Sequence, residues 1–201
     1  MGKGFCSKNC RGFTLVEIVL VVTIMGILLA IAGPELGSRL RKLWVNDCAQ
    51  KLAADIRHAK ASATANGRRA QLVISPDSNM HDFNANGSNE LWMTFLDSKT
   101  SPNGNYDAGE TVLSCSSCGT GIIIENNTNP LPLSSDNSNR YMRFSLIGTV
   151  KPAAAINRSI VITNNGNNAY KVRVNIISLT GALQIQSCNA DCSNNSNWHD
   201  I

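Results

Sequence analysis

Groups able to act as acid, base or nucleophile near neutral pH are scarce in this chain. Among its 201 residues there are three histidines, His58, His81 and His199, and nothing in the sequence brings a serine or cysteine to them. There is no glycine-rich phosphate-binding loop and no internal repeat. These absences speak against nucleophilic and nucleotide-dependent enzymes, and no enzymatic activity is expected. Charge is sparse too, at 16% of residues. The formal net charge of +4 comes mostly from one end, where Lys3, Lys8 and Arg11 stand among the first 12 residues with no acid beside them. The remainder carries 15 basic and 14 acidic side chains, a net of +1. The basic balance is therefore no argument for a nucleic-acid partner.

No charged residue occurs between Glu17 and Glu35. Counted from Phe13, about twenty residues are mostly Val, Ile, Leu, Ala and Met, which makes roughly 30 Å of helix, the depth of one hydrocarbon core. A buried core helix and the apolar region of a secretory signal are the alternatives. The run is longer than most signal regions, and no small-residue cleavage site follows it. A membrane-spanning helix over 13–34 is expected. Glu17 does not suit a plain anchor. A carboxylate in hydrocarbon costs about 2.5–3.5 kcal/mol, so it requires a wet interface, a partner or a role.

The stretch Gly12-Phe13-Thr14-Leu15-Val16-Glu17, with a basic leader before it and the apolar run after it, resembles the cleavage and methylation motif of type IV prepilins and type II secretion pseudopilins. The resemblance implies that a prepilin peptidase cuts between Gly12 and Phe13 on the cytoplasmic side. It also implies that Phe13 is then N-methylated, and that Glu17 is the assembly residue, pairing with the positive N-terminus of a neighbouring subunit. The partners so implied are other pilins or pseudopilins in a filament, the assembly platform and the inner membrane. The basic leader over 1–12 favours a cytoplasmic N-terminus. The rest of a single-pass chain then lies in the periplasm of a Gram-negative cell, from which it is drawn into a pilus or pseudopilus. Cys6 and Cys10 leave with the leader.

Gly33-Pro34 interrupts the run, and a kink is expected there. Leu36, Leu40, Leu43, Ala49, Leu52, Ala53, Ile56, Ala59 and Ala63 then recur at helical spacing, an amphipathic continuation over 35–67 that Asn66-Gly67 ends. This helix end, together with Arg68-Arg69 and the strand-like Ala70-Gln71-Leu72-Val73-Ile74, is similar to the pseudopilin H and FimT branch of minor pilins and minor pseudopilins. Beyond it, 68–201 reads as a β-rich periplasmic domain with strands at 70–75, 91–96, 111–113, 122–125, 141–147, 159–163, 170–177 and 183–186. The expected fold class is α+β, a long N-terminal transmembrane helix packed on a C-terminal antiparallel β-sheet domain. The resemblance makes it type IV pilin-like.

Five cysteines lie outside the leader. Oxidation in the periplasm makes Cys115, Cys118, Cys188 and Cys192 the disulfide candidates, with pairing open and Cys48 read as a buried thiol. Asp82, Asn84 and Asn86, with Gly87 after them, begin like a calcium loop. The acid falls at the ninth position, Glu90, rather than the twelfth, where Met93 stands, so no EF-hand is present. An Asn/Gly-rich turn is the favoured reading, with calcium at those three residues as the alternative. No other cofactor is expected. The acidic stretch from Asn103 to Glu110 reads as structural.

The family resemblance implies a minor pilin or minor pseudopilin, a structural subunit that helps initiate or cap a type IV pilus or a type II secretion pseudopilus. Retractable, secretion and DNA-uptake machines share these N-terminal features. The alternative function is a DNA-binding minor pilin for natural transformation. Some FimT-type members use a Gly-Arg-x-Arg motif. The matching stretch here, Leu179-Thr180-Gly181-Ala182-Leu183-Gln184, keeps the glycine and lacks both arginines. Arg140, Arg143, Lys151, Arg158, Lys171 and Arg173 are the remaining cations for a DNA-facing patch.

Overall fold

A computed structural model describes residues 13–75, 80–98, 104–119, 121–125, 130–135, 137–165, 167–189 and 191–201, with only the backbone described at 32–34 and 167–168. It comprises two compact units, Met1–Leu40 and Arg41–Ile201. One helix, α1 (Leu15–Asn66), supplies the described fold of the first unit and opens the second. Thr14 caps its start, its Oγ1 accepting from the Glu17 amide at 3.2 Å. Gly67 ends it at φ +59°, where the Arg68 amide reaches back to the Ala63 carbonyl at 3.1 Å. That is the left-handed cap that glycine adopts without a Cβ penalty. Judged by length and hydropathy, no single straight helix among the described residues qualifies as a membrane span. Leu15–Ile31 and Glu35–Asn66 qualify together as a pair bent at the break between them.

In the second unit α1 buries Val45, Cys48, Ala49, Leu52, Ala53, Ile56, Ala59 and Ala63. Four of these are alanines, and their small side chains allow strands to pack close to the helix axis. The strands are β1 (Arg69–Ile74), β2 (Trp92–Asp97), β3 (Thr111–Ser116), β4 (Ile122–Glu125), β5 (Arg140–Phe144), β6 (Val150–Lys151), β7 (Arg158–Asn164), β8 (Asn167–Ile176), β9 (Leu183–Asn189) and β10 (His199–Asp200). They form two five-stranded sheets, ordered β3-β2-β1-β5-β6 and β10-β9-β8-β7-β4. Every pairing is antiparallel. The eight strands expected from sequence all form. The two additional ones, β6 and β10, have two residues each, too few for alternation to register. The expectation of one sheet gives way to two, both contributing to one core with α1 through residues such as Leu72, Trp92 and Phe144 on the first and Ile162, Val172 and Val174 on the second.

Smaller apolar clusters line the outer faces. Val73, Met93 and Phe95 on the first sheet are covered by Phe83, Tyr106 and Tyr141. On the second, Val161 and Cys188 meet Trp198 and Cys192. Arg173 lies over the Trp198 ring, 4.3 Å from its centre, and holds the C-terminal segment to the sheet.

The cysteine expectation needs correction at two positions. Cys48 is joined to Cys118 and is not a free thiol, while Cys115 is exposed and free. Cys48 sits on the buried face of α1, and the chain leaving β3 brings Cys118 to a Cα separation of 5.7 Å from it. Cys188 and Cys192 are bonded to each other.

Candidate assembly and processing site

Gly12 and the rest of 1–12 lie outside the described residues. Phe13 is 78% exposed and immediately precedes the Thr14 cap. Thr14 and Glu17 stand in the sequence relation of a capping box, and Glu17 falls in the first turn of α1. A carboxylate there is favoured by the unpaired amides and positive end of the helix. From Leu15 to Ile31 the large apolar side chains point outward around the whole circumference and stay exposed, as at Leu15, Val22, Leu29 and Ile31. Thr23 turns its hydroxyl back to the Val19 carbonyl at 2.7 Å, so it offers little polarity. This segment thus presents an apolar surface on every side, with one acid at its leading end.

Asp82, Asn84 and Asn86 share the β1–β2 loop, and their side-chain oxygens accept main-chain amides of that loop. In the acidic stretch before β3, Glu110 is buried and accepts the Ser98 amide at 3.1 Å and the Asp107 amide at 2.9 Å. Burial, opposed in part by those amides, pushes its carboxyl above the ordinary range, and neighbouring Asp97 pushes the same way.

The candidate DNA-facing cations are divided between the two sheets, with Arg143 directly opposite Lys151 on the first. Arg140, Arg143 and Lys151 belong to the first sheet, and Arg158, Lys171 and Arg173 to the second. Lys171 is paired with Glu125 at 2.7 Å. Arg140 donates to the Leu131 carbonyl at 2.9 Å, Arg158 to the Ala154 carbonyl at 2.9 Å, and Arg173 to Gln186 at 2.8 Å. Gly181 has a packing reason of its own. At φ +71°, a Cβ there would stand 2.7 Å from Phe144 Cε1.

Sequence reasoning did not single out Asp55. Its Oδ2 accepts from Trp92 Nε1 at 2.8 Å and from Ser116 Oγ at 2.9 Å, tying α1 to two strands of the first sheet. Its spacing was the available signal, since it lies three residues after Leu52 and four before Ala59, both fully buried.

Two family descriptions match the chain. A prokaryotic N-terminal methylation motif covers residues 7–33, and the type II transport protein GspH covers residues 49–180. No curated protein matches in sequence. Among solved structures, the crystal structure of the Pseudomonas aeruginosa type IV minor pilin FimU is similar at 14% identity and a TM-score of 0.40, over 70% of this chain and 87% of that one.

Proposed function

The chain belongs to the GspH family of type II transport proteins, and from that membership we propose the part it takes in a filament. It is a minor pilin or pseudopilin, a structural subunit that assembles with others of its kind. Its leader over 1–12 stays cytoplasmic until prepilin peptidase cuts between Gly12 and Phe13, and the new amine of Phe13 is then methylated. The segment 13–34 anchors the subunit in the inner membrane, 35–67 continues the helix, and 68–201 stands in the periplasm. On extraction into the filament, Glu17 of one subunit meets the N-terminal ammonium of its neighbour. The subunit serves at initiation or at the tip.

One observation carries this reading: a helical segment, Leu15 to Ile31, apolar on every side, whose single acid is the fifth residue beyond the scissile bond that the methylation motif implies. Left unpaired in lipid, that acid costs about 2.5–3.5 kcal/mol. A neighbour's ammonium offsets this only in one register, so the pair selects the axial step between helices.

The test is Glu17→Val. Membrane fractionation is expected to find it inserted as well as the parent, while crosslinking finds it depleted from filaments. Normal incorporation refutes the assembly role. The intact mass of the mature chain is expected to begin at Phe13 with one added methyl group, and a retained leader refutes the processing. Mass spectrometry of the crosslinked partners then separates the machines. A major pilin with a retraction motor marks a type IV pilus, and pseudopilins with their assembly platform mark type II secretion.

A further inference from the structure

The loop joining β1 to β2 holds chemistry that assembly does not use. From Asp82 it reads Asp-Phe-Asn-Ala-Asn-Gly-Ser-Asn-Glu, ending at Glu90. A two-way main-chain bridge closes it, His81 N to Glu90 O at 2.8 Å and Glu90 N to His81 O at 2.9 Å. Within it, the Asp82 carboxylate accepts the Asn86 amide at 3.0 Å and the Gly87 amide at 2.7 Å. Asn84 Oδ1 accepts the Asn86 amide at 3.3 Å, and Asn86 Oδ1 accepts the Ser88 amide at 2.7 Å. These bonds turn three side-chain oxygens toward the inside of the loop. Gly87, at φ +84°, makes the sharp turn.

Turn geometry alone would end there, but Glu90 adds something it does not explain. The residue is only 5% exposed. Its carboxylate lies beside the Phe83 amide and close enough to Asp82 for their charges to interact, so it faces the loop. Its Oε2 is buried with no hydrogen-bond partner. An anionic oxygen withdrawn from water without a donor is costly. Among the described residues no lysine or arginine pairs with Asp82 or Glu90. Two carboxylates, one of them with an unpartnered oxygen, and two amide oxygens thus fall within nine residues.

We propose that this loop is a calcium site, with ligands from the side chains of Asp82, Asn84, Asn86 and Glu90 and from the main-chain carbonyl of Ser88. The all-oxygen set suits a hard cation, and its irregular spacing suits calcium better than magnesium, which demands a near-octahedral shell. Asx oxygens that already accept one amide keep a second lone pair for the ion. Water completes the coordination. Glu90, at the ninth position, takes the closing role that an EF-hand gives to its twelfth, in a shorter loop. Because Phe83 of this loop covers Met93 and Phe95, occupancy would also stabilise the outer face of the first sheet. The site stands independently of the assembly role.

The full-length protein in detergent micelles, stripped of metal with chelator, is titrated with calcium chloride by equilibrium dialysis and followed by thermal unfolding. One calcium per chain is expected, with a dissociation constant of about 10⁻⁴–10⁻³ M, the range of extracellular modules. The melting temperature rises with calcium and not with equal magnesium. Asp82→Asn and Glu90→Gln each weaken binding by at least about tenfold, since affinity follows ligand charge. If Glu90→Gln fails to fold, Asp82→Asn, at a half-buried position, decides. Absence of saturable uptake overturns the proposal. So does uptake that both variants leave unchanged, or an equal response to magnesium.

Discussion

Replacing both Cys48 and Cys118 by alanine would remove a cross-link that spans 70 positions of sequence. Closing a loop of that length restricts the unfolded chain by about 4 kcal/mol at 25 °C in the chain-entropy treatment. The Cys188–Cys192 bridge spans 4 positions, and the same treatment gives about 2 kcal/mol. With a urea dependence of about 2 kcal/mol/M, the midpoint should fall by about 2 M for the first double variant and about 1 M for the second. Both partners must be replaced together, since a lone Cys118 thiol, three residues from the free Cys115, would be open to oxidation into a new bridge with it. Urea unfolding of the oxidised parent and the two double variants, followed by tryptophan fluorescence, reads the ordering. Equal shifts, or a larger one at Cys188–Cys192, would refute the argument that loop length governs these bridges.

Asp55→Ala should lower stability by about 2–4 kcal/mol, because the buried Trp92 indole and the Ser116 hydroxyl both lose their acceptor. A urea midpoint corresponding to less than about 0.5 kcal/mol, the usual effect of a surface change, would count against it. Glu110 gives the pH prediction. Its folded carboxyl titrates above the ordinary carboxylate range, so the folded state holds the proton more tightly than the unfolded chain. Its contribution to stability is present below the unfolded value and is lost as pH rises through the folded one. Melting temperatures across pH 4–7 should show this slope in the parent and a shallower one in Glu110→Gln, because burial raises the Glu90 carboxyl as well, and parallel profiles would remove Glu110 as a source.

The parts that were legible in the sequence are those set by local periodicity. Val172, Val174 and Ile176 are buried while Lys171, Arg173 and Asn175 are half-buried, and their alternation alone marks β8. The helix from Leu15 and its glycine stop are equally local. The division into two sheets is not, because it depends on pairings such as Ala70 with Phe144 that leave no trace in spacing. β2 conceals its face for another reason. Every residue from Trp92 to Asp97 is buried, since loops cover the side that the helix does not, and the period-2 signal is lost. The partner of Cys48 was hidden in the same way: a helix position and a strand end meet only through the whole fold. At the N-terminus the reverse holds. The apolar run and Glu17 are evident in sequence because nothing in the described structure covers that segment, and its pattern is free of tertiary constraint.

The edges of the sheets bear on how such domains survive crowding. Under the proposed assembly, domains of neighbouring subunits would stand side by side, a condition under which exposed strand edges pair with one another. Here three of the four outer strands are β6, β10 and β4, of two, two and four residues. Pro152 follows β6 and removes a donor where that strand would extend. The fourth, β3, is irregular, with a register shift against β2 at Thr94/Phe95. Short and bulged edges give a neighbour's strand little to template on. In the proposed assembly, ordered contact would thereby be left to side chains and to the N-terminal helix, and the filament would grow along one axis without its domains fusing laterally into cross-β aggregate.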